Sequence, residues 1–142
     1  MNAIKKVILT FLAIIVVLSC ERNEGVNLDG FDCLECYQQK PEWVKLEVTV
    51  TINDENPFVA LVIYKGNFED NVIDFIDTTK TSDYWVDVHP DQYYSVKAKY
   101  IRGADTIYAI DGDKVKLKHT ETNCDQPCYY KSGGIIDVRL RE

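Results

Sequence analysis

The sequence predicts an all-β antiparallel sandwich of seven to eight strands, and three observations carry that prediction. From Trp43 onward apolar residues recur at every second position, the period of a strand with one wet face. The apolar runs are short and are punctuated by Asn, Asp, Pro and Gly, the layout of a sandwich. No stretch holds a convincing amphipathic helical period, and the roughly one hundred residues from Glu42 onward are enough for one domain with one core.

Taken in order, WVKLEVTVTI (43–52) sends Leu46, Val48, Val50 and Ile52 inward and Lys45, Glu47, Thr49 and Thr51 outward. PFVALVIYKG (57–66) is apolar on both faces, which predicts a central strand covered on each side. NVIDFIDTT (71–79) follows at a hairpin-like interval, with an ambiguous phase. SDYWVDVH (82–89) aligns Tyr84, Val86 and Val88; YYSVKAKY (93–100) aligns Tyr94, Val96, Ala98 and Tyr100. Between them His89, Pro90, Asp91 and Gln92 supply a turn. TIYAI and KVKLKH flank Asp111, Gly112 and Asp113, a tight-turn signature joining two short strands. The last strand, GGIIDVRL (133–140), points Ile136, Val138 and Leu140 at the core.

The N-terminus sets the address. Val7 to Ser19 is uncharged, preceded by Lys5 and Lys6 and followed by Glu21, Arg22 and Glu24. A helix needs about 20 apolar residues to cross a bilayer, so this run reads as a signal-peptide core. Val17, Leu18, Ser19 and Cys20 resemble a bacterial lipobox. That resemblance implies cleavage before Cys20, diacylation of its sulfur and acylation of the new amino group. Each buried methylene contributes about 0.8 kcal/mol, so two or three chains hold essentially permanently. Domain organisation follows: a signal peptide (1–19), a lipidated cysteine with tether and cysteine-containing lead-in (20–41), and a sandwich (42–142).

Loss of Lys5 and Lys6 leaves 14 basic residues against 23 acidic ones, a net charge of -9. So acidic a domain argues against nucleic acid and against adsorption to anionic lipid headgroups. The expected membrane contact is the lipid anchor alone.

Val88, Pro90, Tyr94, Val96, Ala98 and Tyr100 resemble the corner and following strand of immunoglobulin-like fibronectin type III and transthyretin-like modules. There, a tyrosine near the strand start secures the crossing between sheets. With the lipobox and the paired cysteines, the chain resembles small lipoproteins of Bacteroidota-type bacteria. The resemblance implies the cell envelope, with the protein lipid-anchored at the outer membrane. In the lipoproteins that the chain resembles, acidic residues just after the lipidated cysteine can direct display on the outer face, and Glu21 and Glu24 match that pattern in part, interrupted by Arg22 and Asn23.

Cys33, Cys36, Cys124 and Cys128 remain. Two disulfides explain an even count in an exported domain. A four-thiolate zinc site and a redox Cys-x-x-Cys are the alternatives by spacing. Alternating strand directions make the first and last strands of a seven-strand sandwich run the same way. The two cysteine segments then share a pole, and the expected bonds join one segment to the other.

No catalytic constellation is legible, and no cofactor or metal is expected. His89 and His119 are the histidines, and nothing aligns Ser82, Ser95 or Ser132 with either. Asp111 and Asp113 supply too few oxygens for calcium. Lys114, Lys116 and Lys118 form a stripe read as guarding a strand edge. The candidate binding patch is Trp85, Asp87 and His89, opposite in phase to Tyr84, Val86 and Val88, with Tyr93 across the turn. A flat aromatic beside hydrogen-bonding groups stacks on a sugar ring or a partner's side chain. The reading is a non-catalytic envelope module binding a glycan or an envelope protein. A small hydrolase using His89 or His119, or a structural spacer in a larger lipoprotein complex, are the alternatives.

Overall fold

The computed structural model describes residues 34, 36–121, 124 and 126–141, all within the compact unit Phe31–Glu142. The expected signal peptide, Cys20 and Cys33 lie outside the described residues. Among those described, no helix is long and apolar enough to cross a membrane.

Eight strands run in chain order: β1 (Val44–Thr49), β2 (Val59–Lys65), β3 (Ile73–Thr79), β4 (Asp83–Val88), β5 (Gln92–Arg102), β6 (Asp105–Thr120), β7 (Cys128–Ser132) and β8 (Ile135–Asp137). They form a small sheet, β4-β1-β8, and a large sheet, β3-β2-β5-β6-β7. The sandwich expected from the alternation is therefore present. Its pairings are antiparallel except for β1 with β8, which run parallel.

The core lies between the sheets. Val44, Leu46 and Val48 of β1 and Ile136 of β8 meet Leu61 and Ile63 of β2 and Val96, Ala98 and Tyr100 of β5. Burying each large aliphatic side chain contributes about 1.5–3 kcal/mol. β2 is central, between β3 and β5, but its outward residues Ala60 and Val62 are only half-buried, so the expected cover on each side is complete on the inner face alone. β3 owes its ambiguous phase to a register shift opposite Ile63 and Tyr64. Phe75 pairs with Ile63 while Ile73 pairs with Tyr64, so Asp74 is an extra residue and alternation breaks there.

Two hydroxyls tie the sheets together. β4 belongs to the small sheet and β5 to the large one, and at their corner the buried Tyr94 accepts the N–H of His89 at 3.2 Å. At the other pole Tyr100 accepts the N–H of Thr51 at 3.1 Å and donates to the carbonyl of Val138 at 2.7 Å. Burial raises the pKa of both tyrosines.

The structure corrects the sequence reading around Asp111–Asp113. β6 is one 16-residue strand that passes straight through them. The hairpin turn is elsewhere, at Gly103 and Ala104, between the paired Arg102 and Asp105. Gly112 is needed for space: a Cβ there would lie 2.5 Å from the Tyr93 hydroxyl and 2.9 Å from the Tyr94 carbonyl. The two aspartates face β8. Asp111 accepts the N–H of Asp137 at 2.9 Å, and Asp113 those of Gly134 at 2.7 Å and Ile135 at 3.2 Å. These N–H groups point away from β1, so the carboxylates satisfy a strand edge that no strand covers.

β8 is also shorter than its sequence pattern. Gly133 and Gly134 have φ of +74° and +75°, outside strand geometry, and they turn the chain from β7 into β8. β7 itself, CYYKS, was not expected as a strand. Because β7 pairs with Lys116–Thr120, the stripe of Lys114, Lys116 and Lys118 does not guard an edge along that half of β6.

Candidate functional site

The outward face of the small sheet is built by the β1–β4 register, which sets Glu47 opposite Trp85, Lys45 opposite Asp87 and Val44 opposite Val88. One step further, Trp43 stacks on His89, with ring centroids 3.9 Å apart and planes tilted by 30°. The His89 ring also sits 3.2 Å from the Glu42 carbonyl through Nδ1. Trp85, Asp87 and His89 therefore share the face that their phase predicts. Trp85 is 59% exposed.

Trp43 belongs to the same face and is 50% exposed. Its signal was in the sequence: the alternation that turns Lys45 and Glu47 outward places Trp43 beside them. The chain has two tryptophans, and both project from this one surface. Four strand residues separate their levels, about 13 Å at 3.3 Å per residue. Between them Lys45 and Asp87 form an ion pair at 2.8 Å, with both side chains more than half exposed. Such a pair contributes little stability, and it leaves donors and acceptors facing water. On the third strand Ile135, opposite Glu47, is exposed. Glu47 is held by Lys131, which reaches over from β7 and also bonds the Lys45 carbonyl at 3.0 Å.

Tyr93 does not join this surface. It lies on β5 in the large sheet, opposite Lys114, with its ring across Gly112. The turn after His89 carries the chain between sheets and separates the two residues.

The large sheet presents a different surface. Lys97 lies over the rings of Tyr64 and Tyr108, at 5.7 and 5.5 Å from their centroids, so a cation of the protein already occupies those aromatic faces.

The cysteines meet where the lead-in joins β7. Tyr37 and Tyr129 form an antiparallel bridge, exchanging both backbone hydrogen bonds at 2.8 Å. Next to it Cys36 is bonded to Cys128, with Cα atoms 5.6 Å apart and a sequence separation of 92. The bond joins the two cysteine segments. It is the pairing of the lead-in with β7, rather than the start of the last strand, that brings them together. Cys124 is also disulfide-bonded. The sulfurs of Cys36, Cys124 and Cys128 lie within 4.8 Å of one another, yet as disulfides they carry no thiolate for zinc.

His119 packs against Tyr129 at 4.5 Å between centroids, and the Ser95 hydroxyl donates to the Gly66 carbonyl at 2.8 Å. Among the described residues no hydrogen bond joins a serine to either histidine. Elsewhere, bidentate contact with Arg139 holds Asp137 down to a pKa of about 2. A hydrogen bond from the Tyr84 hydroxyl at 2.6 Å lowers that of Asp77.

Comparison of the chain with family models, curated proteins and solved structures finds no match.

Proposed function

We propose that the protein is a cell-envelope lipoprotein, anchored through acyl chains on Cys20, whose small-sheet face binds an extended glycan without chemical conversion. One observation carries the binding reading: both tryptophans of the chain stand half exposed on a single sheet face, with hydrogen-bonding side chains between them. Exposed indoles are costly to leave in water and are common anchors of recognition. Their spacing exceeds one sugar ring, so a ligand that touches both is a chain of rings. Lys45, Asp87 and Glu47 would meet the hydroxyls between the two stacked rings.

The lipobox-like sequence before Cys20 supports the anchored address, and the acidic balance supports a ligand other than nucleic acid. Mass spectrometry of the mature N-terminus tests the anchor, with acyl chains on Cys20 expected. A glycan array probed with the full chain tests the ligand. Binding that is lost in both Trp43→Ala and Trp85→Ala supports the reading. A blank array, or binding indifferent to both substitutions, removes it.

A further inference from the structure

We infer that the free edge of β6 at Thr106–Ile110 accepts an extended acidic segment of a partner protein as an added strand. This is a second site, independent of the tryptophan face.

The backbone accounting comes first. The β5–β6 hairpin closes at the Arg102–Asp105 pair, and antiparallel pairs alternate between bonded and non-bonded. Asp105, Ile107, Ala109 and Asp111 therefore bond to β5, while Thr106, Tyr108 and Ile110 turn their N–H and C=O groups the other way. Ile101 confirms the phase, since it bonds Asn56 through both backbone groups instead of Thr106. β7 covers β6 only at Lys116–Thr120. Among the described residues nothing bonds the outward groups of Thr106, Tyr108 and Ile110.

Elsewhere the fold attends to bare strand edges. Asn56 caps β5 where it outruns β2, Asp111 and Asp113 cap β8, and Lys131 caps the Lys45 carbonyl of β1. β3 is blunted by its shifted register and by aspartates, and β4 carries Asp83 and Asp87. Thr106-Ile107-Tyr108-Ala109-Ile110 has no charge, proline, glycine or bulge. An unguarded edge of this kind is a template for strand addition.

Beside that edge lies an open cleft of about 450 Å³. Ile107, Ala109 and Leu140 make its apolar side, where alternate side chains of an added strand would enter. Charge decides the occupant. Three of the four arginines in this acidic chain, Arg102, Arg139 and Arg141, gather here. Arg139 is engaged by Asp137. Arg141 reaches the same Asp137 carboxylate only at 3.7 Å and stays 80% exposed, so two guanidinium groups share one carboxylate, and Arg102 donates to the Arg141 carbonyl at 3.1 Å rather than to a carboxylate. Guanidinium groups so placed favour a strand bearing carboxylates.

The test uses the full chain in detergent, amide hydrogen exchange, and a peptide of about seven residues alternating valine with glutamate. Before peptide, the amides of Thr106, Tyr108 and Ile110 should exchange fast while those of Ile107 and Ala109 are protected. Peptide should slow the first three. Tyr108→Pro removes one outward N–H at a position where an edge tolerates proline, and should weaken binding about tenfold. Arg141→Glu, or lysine in place of the peptide's glutamates, should weaken it as well. The inference fails if those amides are protected without peptide, or stay fast with it. It fails equally if protection grows with protein concentration alone, which would make the occupant a second copy.

Discussion

Two tyrosines on the inner face of β5 and two tryptophans on the outer face of the small sheet stand in opposite circumstances. Tyr94 and Tyr100 are buried to within 1% of their surface, and each hydroxyl is bonded to backbone of the other sheet's strands or their connections. Trp43 and Trp85 are half exposed, and no described strand packs on them. The tyrosines join the sheets; the tryptophans could be removed without opening the core. Burial with a satisfied polar tip marks an aromatic residue that the fold uses; an uncovered ring marks one that the core does not need, which the function proposed above assigns to a ligand.

The largest effect should come from the inner layer. Tyr100→Phe leaves the Thr51 N–H and the Val138 carbonyl without their partner and should cost about 2–3 kcal/mol in urea unfolding. A loss below about 0.5 kcal/mol would mean that this hydroxyl does not hold the sheets together. Next, Asp113→Ala deprives Gly134 and Ile135 of their acceptor and should cost about 1–2 kcal/mol, since Gly134 is buried. Had these residues formed a surface turn, the same substitution would be nearly silent.

A smaller effect depends on pH. The folded pKa of Asp137 is lowered to about 2 from 3.8, so its contribution is complete above the unfolded value and is lost as pH falls from about 4 towards 2. Asp137→Asn should flatten that part of the stability profile measured by thermal unfolding. The smallest effect belongs to the outer face: Trp85→Ala should change stability by no more than about 0.5 kcal/mol. A cost of several kcal/mol would erase the contrast and make Trp85 a packing residue.

Much of this contrast was legible because strand periodicity specifies faces. The alternation in 82–89 put Trp85, Asp87 and His89 outside and Val88 inside, and the strand turned out that way. The same alternation, carried one residue ahead of β1, turns Trp43 outward as well. Where the reading failed, a local signal had two physical meanings. Asp-Gly-Asp has turn chemistry, yet here glycine makes room for the Tyr93 ring and the carboxylates bond β8. Those partners lie about 20 or more residues away, beyond the reach of local pattern. Tyr93 was misplaced for a related reason: proximity across a turn does not survive when that turn changes sheets. β7 escaped notice because its five residues mix buried Cys128 and Tyr130 with polar neighbours.

Acrylamide quenching of intrinsic fluorescence tests the central claim most directly, because every tryptophan in the chain lies on the proposed face. The account predicts red-shifted emission and ready quenching in the purified protein, with quenching suppressed by a glycan that the array identifies. Blue-shifted emission that resists acrylamide without any ligand would show the face already covered, and would contradict it.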